Sequence, residues 1–149
     1  MGFEFLDTAN LADSEITLWL EGIKPIEERG GVPSYSFSIC DAASGDRMGH
    51  LSFRVGHNDN LYYPGNIGYS VEPPYRGGHY AEKACRLAFR LARRHGMESV
   101  IVTCDPDNAA SRKACEHLGA ELLEIADIPA GHYLRSAATP QKCIYLIQL

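Results

Sequence analysis

Arg76, Gly77, Gly78 and His79 stand between a proline pair and a basic, alanine-rich stretch, in the run VEPPYRGGHYAEKACRLAFRLARRHG of residues 71–96. Glycine weakens a helix by about 1 kcal/mol relative to alanine. A pair of glycines at a helix start therefore implies that something must come close to the backbone. A strand, a tight turn and a helix leave backbone N–H groups unpaired and pointing outward. At the positive end of a helix dipole those donors make an anion site, usually for phosphate. Gly77 and Gly78 lack the side chains that would hold a diphosphate away, and Arg76 adds a cationic fork. No Lys-Ser/Thr pair follows the turn, so it is not a nucleotide P-loop. G-x-G-x-x-G is absent too, so it is not a dinucleotide fingerprint. A plain turn is the alternative.

The elements around this turn read as one domain over residues 1–149, with no repeat, low-complexity tract or linker. Hydrophobic residues make up 45% and charged residues 22% of the chain, a balance suited to a packed core rather than to disorder. Residues 15–23, 34–41, 47–55 and 66–71 alternate as strands, and Pro73 and Pro74 stop the fourth. Ala81, Ala84, Cys85, Ala88, Leu91 and Ala92 fall on one face of the helix that follows. Lys83, Arg86, Arg90, Arg93 and Arg94 take the opposite, solvated face, and Gly96 ends the helix. Residues 99–104 are continuously apolar, as in a central strand. A second helix starts at Asp107 or Asn108 and stops at Gly119. Residues 121–128 and 142–149 close the chain as strands. The fold class is α/β (α+β), a mixed sheet of about seven strands, mostly antiparallel, with a helical crossover in its second half.

Composition also excludes. No apolar run reaches the ~20 residues needed to span a bilayer, and no leader pattern opens the chain, so a cytoplasmic protein without a membrane partner is expected. A net charge of −5 argues against nucleic acid and suits a cationic substrate. Five scattered cysteines without a C-x-x-C pair point to buried thiols rather than a disulfide framework. The six histidines show no H-x-x-x-H pair or carboxylate grouping, which argues against a metal.

Residues 66–120 resemble the GNAT superfamily of acyl-CoA-dependent N-acyltransferases. Its signature [Q/R]-x-x-G-x-[G/A] opens a long helix directly after a strand; here Arg76 fills the first position and Ala81 the last. His79 replaces the central glycine, with Gly78 beside it. A second hallmark, N-x-x-S at the start of the next helix, is met by Asn108 and Ser111, ending in HLGA. The resemblance implies a V-shaped split between the strands at 66–71 and 99–104. It further implies acetyl-CoA as co-substrate, held by Arg76, Gly77, Gly78, His79, Tyr80 and Ala81. Pantetheine would run beside Ser70, Val71 and Glu72, with Asn108 and Ser111 facing the same crevice. Helix capping is an equally physical role for Asn108.

Acetyl transfer needs a neutral amine, a donor for the oxyanion, and in some cases a proton for the departing thiolate. The resemblance suggests a backbone N–H near Val71 as the oxyanion donor. Relatives often carry a glutamate early in the fourth strand, where this chain has Asn66, so Glu72 is the leading carboxylate. Where relatives place a tyrosine four residues after the serine, this chain has Cys115. A thiol there is a candidate acid, although a core thiol is the plainer reading. Tyr69 and Tyr80 are alternative hydroxyls. Tyr62, Tyr63 and His132, in the loops 56–65 and 129–141, are candidate lining residues. The function expected is transfer of acetyl from acetyl-CoA to a primary amine of a small molecule or protein by direct attack in a ternary complex. A non-catalytic acyl-CoA-binding module is the alternative, and a binder of phosphorylated ligands a third. The short connector at 23–33 leaves either an open cleft, suited to a peptide end, or one completed by a second subunit in a homodimer.

Overall fold

The computed structural model describes residues 3–28 and 30–149. Four strands, β1 (Ile16–Lys24), β2 (Ser34–Asp41), β3 (Arg47–Arg54) and β4 (Ile67–Val71), form a meander. Helix α1 (Tyr80–Arg94) crosses to β5 (Ser99–Cys104), and α2 (Ala109–His117) leads to β6 (Glu121–Asp127) and β7 (Gln141–Gln148). The sheet order is β1-β2-β3-β4-β5-β7-β6. β4 and β5 are parallel, and every other neighbouring pair is antiparallel. This is the mixed seven-stranded architecture expected from sequence. Residues 25–28 and 30–33 of the connector run as bends and turns. No helix among the described residues is long and apolar enough to cross a membrane.

The alternation of β2 and β3 produces the core. Tyr35, Phe37 and Ile39 face inward against Leu51 and Phe53, all fully buried. Ala84, Cys85, Leu87, Ala88, Leu91 and Ala92 of α1 close over them. Burial of each large side chain here stabilises the fold by roughly 1.5–3 kcal/mol. The small residues of the α1 stripe let the helix lie close to the strands.

The basic face of α1 is solvated as expected, with Arg86, Arg90, Arg93 and Arg94 exposed, and it also reaches neighbouring backbone. Arg90 donates to Ala12 O at 3.2 Å, Arg94 to Asp7 O at 2.8 Å and Arg86 to His117 O at 3.1 Å. Lys83 pairs with Glu15 at 2.6 Å. These side chains bind the N-terminal segment and the end of α2 to α1, because carbonyls left over from irregular backbone need donors.

Between β4 and β5 the sheet opens. Register pairing is confined to Ile67 opposite Val102. Asn66, 0% exposed, fastens the closed end. Its backbone N–H donates to Ile101 O at 2.7 Å. Its side-chain oxygen accepts from Ile101 N at 2.9 Å, and its Nδ2 donates to Arg54 O and Gly56 O. Gly65, at φ +76°, is held by the same junction: a Cβ there would lie 2.8 Å from Ile101 O. Beyond Ile67 the strands diverge, leaving polar backbone directed into a gap.

Candidate active site

Two cavities occupy the split. The larger, about 560 Å³, runs between the β4 end, the first turn of α1 and α2. Ser70, Val71, Arg76, Gly77, His79, Tyr80, Ala81, Asn108 and Ser111 all line it. The smaller, about 220 Å³, includes Arg54, Tyr63, Thr103, Asp105 and Lys142. Tyr69, Asn108 and Ser111 line both, so they form the junction.

The backbone of β4 suits an extended ligand. Glu72 N donates to Met48 O at 2.8 Å, and Ser70 stands opposite His50, so even-numbered residues pair with β3. The odd-numbered Tyr69 and Val71 then direct their main-chain groups toward the gap. Arg76 Nε donates to Val71 O at 3.0 Å, which folds the guanidinium over the strand end.

At the start of α1, Gly77 has φ +93° and open space where a Cβ would stand. Gly78 plays another part: a Cβ there would meet the Tyr80 ring at 2.7 Å. Gly78 is not among the residues that line the cavity; its missing side chain makes room for Tyr80, which does line it. His79 takes φ +60°, the one non-glycine residue at positive φ among those described. The left-handed region costs roughly 1–2 kcal/mol for a residue bearing a Cβ.

Asn108 caps α2, its Oδ1 accepting from Ser111 N at 3.2 Å. Tyr69 donates from its hydroxyl to Ser111 Oγ at 3.1 Å. Burial, with neighbouring thiols adding to it, raises the Tyr69 phenol well above its ordinary value, so it stays protonated.

Both catalytic candidates drawn from sequence lie off the cavities. Glu72 lines neither, and its carboxylate is held by Arg47 Nη1 at 3.0 Å. Its parity on β4 matches Ser70 rather than Tyr69, which turns it away from the side chains at the junction. Cys115 is 0% exposed in the core, and burial pushes its thiol up to about 12. Ala114, one residue earlier, is the one that lines the cavity. Asn66, where relatives carry a glutamate, is likewise absorbed by the strand junction.

Sequence reasoning missed Asp105 and Lys142, which pair at 2.7 Å against the smaller cavity. The isolated DPDN turn carries no signal for a partner 37 residues away. Of the candidate loop residues, Tyr63 lines the smaller cavity and stacks edge-on to His132 at 5.4 Å. Tyr62 instead donates a hydrogen bond to Glu124. The fold also makes a grouping that histidine spacing alone does not mark. His79 and Glu82 form an H-x-x-E pair that α2 completes with His117, their ligand atoms all within 4.8 Å of one another.

The family model for the acetyltransferase (GNAT) domain matches residues 3–121. The chain belongs to the GNAT acetyltransferase family. Its fold is similar to a GNAT-family acetyltransferase from Bacillus anthracis, at 18% identity over 76% of this chain and 65% of that one, with a TM-score of 0.59. It is also similar to the ribosomal-protein-S5-alanine acetyltransferase from Vibrio fischeri, at 16% identity over 77% and 61% of the two chains, TM-score 0.61. Mycobacterium smegmatis RimJ, solved in complex with CoA-disulfide, matches at 22% identity over 77% and 53%, TM-score 0.61. The chain thus spans less than two thirds of the length of each of these proteins. Comparison with curated proteins gives no match.

Proposed function

We propose that this chain is an N-acetyltransferase that moves acetyl from acetyl-CoA to a primary amine by direct attack in a ternary complex. The observation that carries the reading is the meeting of two cavities at Tyr69, Asn108 and Ser111. A thioester entering from one side and an amine from the other would react there.

The larger cavity fits acetyl-CoA. Gly77 leaves the α1 N-terminus open, where backbone donors and the helix dipole favour a diphosphate. Arg76 supplies a cation beside it, and the gap-facing edge of β4 at Tyr69 and Val71 offers main-chain partners to pantetheine. Asn108, Ser111, Tyr80 and Ala81 wall the remaining length. One acceptor-bound proton must leave before attack. Asp105, in the smaller cavity, holds the ammonium and passes that proton to water. The amine nitrogen bonds to the carbonyl carbon, the Val71 N–H faces the developing oxyanion, and the C–S bond then breaks as the nitrogen gives its second proton to water. Tyr69 turns its single O–H from Ser111 Oγ to the departing sulfur, with Ser111 then free to donate to the phenol oxygen. Full proton transfer is uphill, since even an unshifted phenol (~10) lies above an ordinary thiol (~8.5). Tyr69 therefore stabilises the thiolate without protonating it.

The non-catalytic acyl-CoA-binding module keeps one observation in its favour: Glu72 and Cys115 both lie away from the cavities. Calorimetry with CoA and acetyl-CoA, followed by thiol release from acetyl-CoA across an amine panel, separates the two readings. Thiol release that depends on the amine supports the enzyme. Tight CoA binding with no turnover on any amine supports the module, and no binding sinks both.

A further inference from the structure

His79 at the start of α1 and His117 in the last turn of α2 both aim Nδ1 at Glu82 Oε1, at 3.1 Å and 2.7 Å. We propose that His79, Glu82 and His117 bind one divalent transition-metal ion of the Zn(II) type at the rim of the larger cavity, joining α1 to α2. Two imidazoles and a carboxylate are a ligand set such ions favour. Ligand bonds of about 2.0–2.1 Å in a tetrahedron place donor atoms roughly 3.3 Å apart. The two Nδ1–Oε1 separations lie near that spacing, and all three ligand atoms fall within 4.8 Å of one another.

Three further features favour a site over a chance cluster. Glu82 has a side chain only 15% exposed, so its carboxylate already sits between the two rings with little water around it. The backbone fixes both histidines: His79 O accepts from Lys83 N at 3.1 Å, and His117 O accepts from Arg86 at 3.1 Å. His79 also occupies a left-handed position that glycine would hold without strain. The side chain kept there is the one that completes the cluster. All three residues line the cavity, so the remaining coordination position opens into it, available to water or to an oxygen anion. Metal binding itself is independent of the acetyltransferase reading.

The test is titration of chelator-stripped protein with Zn(II) by calorimetry, with Co(II) absorption as a spectroscopic probe. One ion per chain, a raised melting temperature, and Co(II) d–d bands without thiolate charge transfer are expected. His79→Gly is the variant least prone to misfold, because glycine accepts the backbone angle. It and His117→Ala should each weaken Zn(II) by at least about tenfold, since loss of an outer-shell partner alone costs ~10–100-fold. No saturable binding, unchanged affinity in both variants, or a thiolate band pointing to the cysteines would overturn the proposal.

Discussion

The Tyr69 hydroxyl donates to Ser111 Oγ at 3.1 Å, bridging β4 and α2 across the gap where β4 and β5 no longer pair. Two residues 42 apart in sequence thereby meet at the junction of the two cavities. Tyr69→Phe keeps the ring and removes the one polar atom. If the hydroxyl steadies the leaving thiolate, kcat should fall by about 10–100-fold, a loss of a size known for single transition-state donors and proton-transfer groups. The KM for acetyl-CoA should move much less. Steady-state kinetics decide this, and equal changes in kcat and KM would instead make Tyr69 a packing residue.

Arg76 lies over the strand end with Nε on Val71 O, beside the open α1 terminus. A guanidinium facing a diphosphate makes a charge-assisted contact, and such hydrogen bonds contribute ~1.5–3 kcal/mol. Arg76→Ala should weaken CoA by about tenfold or more, with a steeper loss at low salt than at high. Pantetheine, which lacks the diphosphate, is the control: its inhibition constant should not change. Equal losses for CoA and pantetheine would assign Arg76 to the strand rather than to the anion.

Acid should weaken the fold through His95. Its Nε2 lies 2.6 Å from the Tyr35 hydroxyl, whose oxygen already accepts from Leu6 N at 2.8 Å. The phenol proton therefore points to Nε2, which must be unprotonated. Burial, helped by Arg94, lowers the His95 pKa, and burial raises that of Tyr35. With the folded value below the unfolded ~6.5, the unfolded chain binds the extra proton first. Stability from this pair is complete above about 6.5 and is lost as pH falls toward the folded value. Urea unfolding between pH 7.5 and 5 should show that decline, and His95→Gln should flatten it. An unchanged slope in the variant would point to other groups.

The parts of the fold carried by local patterning were readable: the α1 stripe, the alternation of β2 and β3, and the Asn108 cap. The glycine pair signalled a close approach, although Gly77 alone keeps the terminus open and Gly78 makes room for Tyr80. Glu72 was chosen by position along the strand, whereas parity sets it with Ser70 and leaves Tyr69 at the junction. Cys115 lies about 40° round the helix from Ser111, close enough to be expected on one face. Which of Ala114 and Cys115 meets the cavity is decided by how α2 docks on the sheet. The Asp105–Lys142 pair and the third residue of the His79–Glu82–His117 cluster depend on strand order and helix packing, which no local window contains.

Asp105 is the carboxylate against the smaller cavity, 2.7 Å from Lys142. An acceptor ammonium needs a negative group to hold it, and Asp105→Asn removes that charge while keeping the shape. The KM for the amine should rise, and kcat should fall at neutral pH, with the acetyl-CoA KM unaffected. The substitution also strands Lys142, whose side chain is only 17% exposed, so part of the effect could be structural. Asp105→Asn combined with Lys142→Met relieves that stranded charge and restores stability in urea. If the double variant regains stability yet still binds the amine poorly, Asp105 acts on the acceptor. If amine KM recovers with stability, the ion pair serves only to hold β7 against the α2 approach.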